Sequence, residues 1–320
     1  LAVILMATLY PVLRAARMSI LTAAAVIATT ATIVPTPLGG DNVVAARVLG
    51  FEHVVDYVFY HHAPITIPAL IIMGLAHYFW QRYMDKRQAG KVTGEIDESK
   101  LKHRDLTGVP VYYALFPVLP LILVIFFWAF FKHAKVGLVE ITVFCFALAF
   151  ICELIRKGGV KQGMKDANLF FKGMGEGFSQ VVVLIVAAST MVAGLRAMGM
   201  IDMISNSISG VENASAGLMF AFSGITALIT FISGSGNAVF YSFIELIPSI
   251  AQNAGIDPIM VALPMQCTSN LIRSISPVAA VVIIVAASVR VNPLEVVKRT
   301  SVPILAGFVT VMVMSVIRYI

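Results

Sequence analysis

Gln266-Cys267-Thr268-Ser269-Asn270-Leu271-Ile272-Arg273-Ser274-Ile275-Ser276-Pro277 is a polar interruption between two apolar runs, Ile259 to Pro264 before it and Val278 to Val289 after it. The three pieces together read as one membrane-spanning helix broken near its middle, with the permanent charge of Arg273 inside the bilayer. An arginine at that depth costs roughly 3 kcal/mol on insertion scales, so an intramembrane arginine is a functional candidate by default. Its natural solute is an anion.

Composition agrees with a membrane setting. Hydrophobic residues make up 59% of the 320 and charged residues only 12%, against roughly 25% charged in soluble domains, and the mean hydropathy is +0.90. Several apolar stretches reach the roughly 20 residues that a spanning helix needs. The net charge of +6 does not indicate nucleic acid, because the basic residues cluster at the ends of apolar segments, where they set orientation. Cys145, Cys152 and Cys267 lack metal-ligand spacing and lie in apolar segments, so they read as packing residues. The Gly173-Met174-Gly175-Glu176-Gly177 run lacks the spacing of a dinucleotide loop.

Outward from the opening stretch, the chain divides into four parts. Residues 1–80 read as the end of a first inverted repeat: a hairpin arm closed by Pro11, a helix broken at Pro35-Thr36-Pro37-Leu38-Gly39-Gly40-Asp41-Asn42, and a span from about Val54 to Trp80. Residues 81–107 carry Arg82, Lys86, Arg87, Lys91, Lys100, Lys102 and Arg104 and read as a cytoplasmic loop. Residues 108–198 read as scaffold-type spans, with a short interfacial helix over Lys161 to Phe171. Residues 199–320 read as a second repeat: a re-entrant hairpin around Ser233-Gly234-Ser235-Gly236-Asn237, the broken helix of Arg273, and a final span from Val302 to Ile317. The apolar start at Leu1, with no charged leader, reads as the carboxy-terminal part of something longer.

Two proline sets share an order of parts. Pro11, Pro37 and Pro64 are spaced by 26 and 27 residues, and Pro248, Pro277 and Pro303 by 29 and 26. In each set the first proline is expected to end a hairpin arm, the second to sit in a break and the third to open a span, while the flanking charges put the two hairpins on opposite sides. The expected fold class is therefore an all-α membrane protein, a polytopic helical transporter with inverted repeats, a re-entrant hairpin and broken helices.

A helix break leaves backbone N–H and C=O groups unpaired, which is tolerated only inside protein or along a wet cavity. Half-helix N-termini suit carboxylates, and unwound carbonyls suit cations. The residues expected to contact a solute are Thr36, Ser233, Ser235, Asn237, Thr268, Ser269, Asn270, Arg273 and Ser276; the candidates for a coupling ion are Gly39, Asp41, Asn42 and Gly236. Asp41 reads as a counter-ion to Arg273, a proton or sodium site, or an N-cap for a half-helix beginning at Asn42. Glu140, Glu153 and Glu245 are weaker proton candidates, and His61 and His62 read as structural. No cofactor and no metal beyond a coupling sodium ion are expected.

Ser233-Gly234-Ser235-Gly236-Asn237 with Phe240 and Glu245 to Pro248, then Asn270, Arg273 and Ser276-Pro277-Val278, then Glu295-Val296-Val297-Lys298-Arg299-Thr300, closely resemble the anaerobic four-carbon-dicarboxylate carrier family, DcuC. Leu5 to Leu9 and Ala76 to Tyr83 resemble it too. The resemblance implies a multi-pass carrier of succinate, fumarate and malate in the bacterial inner membrane, homodimeric through a scaffold domain and belonging to an ion transporter superfamily. By position it implies binding elements around Ser235 and Asn237, around Asn270 and Arg273, and around Thr36 and Asp41. The family also has a further hairpin tip before the segment matching Leu1. Besides a dicarboxylate, an amino acid or other organic anion fits the same pattern, and an anion channel fits it less well. An enzyme is not expected, since no metal pair or activated nucleophile is present.

Overall fold

The computed structural model describes residues 2–30, 32–88, 110–131, 136–157, 168, 170–176, 178–199, 203 and 214–320. Residues 89–107 of the expected loop, the turn at 132–135, most of the interfacial helix over 161–171 and most of the outer segment 201–214 lie outside them. No strand occurs among the described residues, and five helices are long and apolar enough to cross a membrane. The protein is an all-α polytopic membrane protein.

The helices, in chain order, are α1 (Ala2–Ala15), α2 (Ile20–Thr29), α3 (Gly40–Val48), α4 (Val54–Arg87), α5 (Leu119–Phe130), α6 (Leu138–Lys157), α7 (Val183–Ala197), α8 (Ala214–Ser233), α9 (Gly236–Ile244), α10 (Ile247–Asn253), α11 (Ile259–Ile272), α12 (Ala280–Ser288) and α13 (Pro293–Tyr319). Starts are set by local chemistry. Ser19 caps α2 by accepting from the Thr22 N–H at 3.1 Å, and Asn292 caps α13 by accepting from Leu294 N–H at 2.9 Å, with Pro293 in the first turn. A π-helical turn, Tyr57–His62, is built into α4, and another, Phe178–Val182, leads into α7.

Several boundaries differ from the sequence expectation. The span α4 runs on to Arg87 rather than stopping at Trp80, because Gln81, Met84 and Asp85 keep one face packed or bonded against neighbouring helices. Pro11 lies inside α1, Pro248 opens α10 rather than closing the preceding arm, and Pro303 lies inside α13 rather than opening it. A first-turn proline removes no helical hydrogen bond, which accounts for Pro248. Pro303 leaves the carbonyl of Arg299, four residues earlier, without its helical donor. The amide of Gln81 on α4 supplies one at 2.8 Å.

Packing is organised around α11, nearly all of which is buried. One core joins Leu263, Cys267 and Leu271 of α11 to Phe240 and Ile244 of α9, Ile65 and Ala69 of α4, and Ile304 and Val311 of α13. A second joins Met6 and Tyr10 of α1, Ala23, Ala24 and Ala28 of α2, and Val282, Val285 and Ala286 of α12. Small residues let the α2 and α12 backbones come close, where van der Waals packing rather than water exclusion holds membrane helices together. Helices α5 and α6 pack on each other and reach the rest through Val55 of α4. Helix α1 packs on α2 and α12, while α9 packs on α11 and α3, so each arm touches the half-helix belonging to the other break.

Candidate binding site

The first break lies between Thr29, which ends α2, and Gly40, which begins α3, and the second separates α11 from α12 through a 3-10 turn, Arg273–Ile275, and residues 276–279. Gln266 connects them. Fully buried on α11, it accepts at Oε1 from the Tyr57 hydroxyl and donates from Nε2 to Asp41 Oδ2 at 3.0 Å and Asn42 Oδ1 at 2.7 Å. Asn270, one turn further along the same face, donates to Asp41 Oδ2 at 2.6 Å. Asn42 in turn donates to the Thr36 carbonyl at 2.8 Å, satisfying a group that the break exposes.

Arg273 follows as the first residue of the 3-10 turn. Its Nη1 donates to Asn237 Oδ1 on the hairpin tip at 3.3 Å, and the Asp41 carboxylate acts on it electrostatically. Tyr241 comes from α9 and lies over the start of α3, its hydroxyl 3.5 Å from where a Cβ on Gly40 would stand. One cation, one carboxylate and four amides thus come from four separate elements.

The hairpin tip is held against the second break by two glycines. Gly234 has φ +71° and lies so close to Val278 and Ala279 that a Cβ would come within 2.7 Å of the Ala279 nitrogen. Gly236 begins α9 directly on α11, where a Cβ would stand 2.1 Å from the Ser269 carbonyl oxygen. Both positions require the absent side chain. The result brings the first turn of α9 beside Arg273, and the N–H groups of that turn precede the first helical bond, from Val239 to Ser235 at 3.3 Å.

The remaining sequence candidates divide. Ser233, Ser235 and Asn237 are exposed at the tip, with the Ser235 N–H donating to Ser233 Oγ at 3.3 Å. Thr36 accepts from Leu38 N–H at 3.3 Å, and Gly39 precedes α3 as its cap without a side-chain bond. Helix α3 begins at Gly40, so Asp41 stands inside its first turn rather than capping it. Ser269 and Ser276 direct their hydroxyls to carbonyls: Ser269 to Gln266 at 2.7 Å, within α11, and Ser276 to Phe231 at 2.7 Å, which ties the second break to α8. Thr268 is fully buried within the packed face of α11. Glu153 pairs with Arg156 at 2.6 Å, away from the breaks.

Three site residues lay outside the sequence candidates: Gln266, Tyr57 and Tyr241. Gln266 had a usable signal, since it stands four residues before Asn270 and seven before Arg273, on one helical face. The tyrosines had none, because a tyrosine in an apolar span reads equally well as an interfacial anchor.

Comparison with known proteins then decides the family. The family model described as C4-dicarboxylate anaerobic carrier, DcuC, matches residues 1–320. The chain belongs to this family. Among DcuC relatives, the anaerobic C4-dicarboxylate transporter DcuC of Escherichia coli O6:H1 is 39% identical over 98% of the chain and 66% of its own length. Those of Escherichia coli K12 and Shigella flexneri, bearing the same description, are each 38% identical over 98% of the chain and 66% of their length. The chain therefore spans about two thirds of the length of these DcuC relatives. No solved structure matches it.

Proposed function

We propose that this DcuC-family chain forms the substrate site of a secondary carrier for C4 dicarboxylates such as succinate, fumarate and malate in the bacterial inner membrane. The observation that carries the reading is Arg273, set in a helix break, bonded to Asn237 of the hairpin tip and acted on by Asp41 of the other break. A guanidinium presents a planar fork of donors that matches one carboxylate in two parallel hydrogen bonds. The first turn of α9 adds N–H donors and the positive end of a helix dipole to the same place.

Transport follows from the way the site is assembled. Its groups belong to α3, α9, α11 and the turn after α11, so relative movement of the two breaks changes access to the site and its affinity together. Asp41 balances the charge of Arg273 when the site is empty, and an incoming carboxylate competes with it. That competition gives an exchange of anions, or a coupling cation at Asp41, a physical basis. The choice between a proton and sodium is read by imposing each gradient separately and measuring uptake. A homodimer formed through the scaffold helices α5 and α6 belongs to the same reading, and cross-linking between those helices in the membrane tests it.

Substrate class is tested by competition. Fumarate and malate should displace labelled succinate, whereas short fatty acids and arginine should not. Equal competition by a monocarboxylate would sink the dicarboxylate assignment, because a second carboxylate would then contribute nothing.

A further inference from the structure

Away from the binding site, a set of polar side chains joins α2, α4 and α13. Pro303 frees the Arg299 carbonyl, and Gln81 Nε2 donates to it at 2.8 Å. Gln81 Oε1 accepts from Arg299 Nη1 at 3.2 Å, which fixes the orientation of the amide. Its nitrogen has a second hydrogen, and His77 Nδ1 lies 3.3 Å away. Nδ1 must then accept. The imidazole hydrogen accordingly sits on Nε2, 2.9 Å from Thr29 Oγ1 at the end of α2. Thr29 spends its own hydrogen on the Ala25 or Val26 carbonyl, each at 3.1 Å, leaving its oxygen to accept.

One tautomer of neutral imidazole fits this arrangement. A proton added at Nδ1 would set N–H against N–H, and Gln81 cannot turn over without offering its nitrogen to the guanidinium and its oxygen to the Arg299 carbonyl. The charged groups on the packed elements are few. Arg299 of α13 is bound to Asp85 of α4 at 2.5 Å, and Glu295 and Lys298 of α13 pair with each other at 2.6 Å. On α4, Arg82 donates to Tyr78 at 3.2 Å, Lys86 and Arg87 stand at the exposed end, and α2 has no charged residue.

What His77 holds is the point where the breaks meet. Thr29 is the last residue of α2, and the neighbouring Ala28 carbonyl accepts from Ser274 Oγ at 3.0 Å, one residue after Arg273. We propose that His77 is a proton-responsive positioning residue: neutral, it holds the end of α2 through Thr29 and fixes Gln81 against α13, and protonation at Nδ1 keeps the Thr29 bond but sets N–H against Gln81. That loosens α4 from α13 beside the second break, where Thr300 of α13 donates to the Ser274 carbonyl at 2.8 Å. The inference rests on the carrier reading for its consequence, though not for its geometry.

The geometry is tested without transport, by nitrogen NMR of histidine-labelled protein. A neutral His77 carrying its hydrogen on Nε2 is expected, and a hydrogen on Nδ1 would overturn the lock. The consequence is tested by labelled succinate uptake into proteoliposomes from about pH 4 to about 8, a range that extends below the ordinary histidine titration. Relative to the wild type, His77→Gln should flatten the pH profile at least about threefold, changing kcat with little change in KM. Gln81→Glu, which can accept from Nδ1–H, should move the profile to higher pH. If His77→Gln does not fold, Thr29→Val removes the Nε2 acceptor alone, a bond worth more to the charged ring than to the neutral one, and should move the profile to lower pH. A wild-type profile in every variant that folds would overturn the inference while leaving the carrier reading intact. No uptake by the wild type at any pH would overturn the carrier reading, and the NMR result would still judge the lock.

Discussion

At the scale of single residues, Arg273 and Asp41 are the oddities that an apolar sequence makes visible. A charge in a run of Leu, Ile and Val cannot be accommodated by accident. What the sequence could not convey was the neutral scaffolding between them. Asp41 Oδ2 accepts from both Gln266 and Asn270, and those amides are invisible as partners until α3 and α11 are packed together. Replacing Asn270 with leucine should therefore destabilise the protein by about 1 kcal/mol, the net worth of one hydrogen bond to a half-buried carboxylate that keeps its Gln266 donor. Thermal unfolding in detergent measures it, and a variant as stable as the wild type would show that the Asn270 bond is unimportant. Arg273→Lys separates charge from geometry. Because an ammonium lacks the planar fork, succinate affinity should fall at least about tenfold, or about 1.4 kcal/mol, although the charge is kept. Titration calorimetry on the purified protein would reveal an unchanged affinity if charge alone sufficed.

Elements show where sequence reading succeeds and where it stops. The break at Pro37 and the hairpin tip at Ser233 to Asn237 were legible because proline, glycine and hydroxyl residues interrupt apolar runs. Pro248 and Pro303 misled, since a proline marks a helix start, a kink or an end with equal ease. Only the tertiary donor from Gln81 shows that Pro303 is tolerated in mid-helix. The close seat of Gly236 on the Ser269 carbonyl makes a sharp prediction. Gly236→Ala should lift the hairpin tip and abolish the stabilisation that saturating succinate gives the wild type, about 2.7 kcal/mol at a hundredfold excess over Kd. A succinate-induced rise in Tm equal to that of the wild type would contradict the docking of α9. At the other end, Arg299 is 2% exposed, whereas Asp85 reaches solvent. Asp85→Ala strands a buried charge and Arg299→Met removes it. Asp85→Ala should thus be the more destabilising by roughly 1–2 kcal/mol, within the range measured for buried pairs; the reverse order in thermal unfolding would show that Arg299 finds other support.

For the whole molecule, the composition and the recurring apolar segments made a polytopic helical membrane protein legible, because the bilayer allows few other solutions. The arrangement of the helices was not legible. That α1 meets α12 while α9 meets α3 depends on apolar faces whose partners no local pattern identifies. The family match accounts for the ordered motifs around both breaks, and the geometry adds that Arg273, Asn237 and Asp41 converge from elements distant in sequence. The central claim is that this convergence binds a dicarboxylate for transport. Its most direct test is uptake of labelled succinate into proteoliposomes by the wild type and by Arg273→Ala, with folding checked by thermal unfolding. The account predicts saturable uptake by the wild type and at least a tenfold loss, about 1.4 kcal/mol, in the folded variant. Absence of saturable uptake by the wild type, or equal uptake by Arg273→Ala, would contradict it.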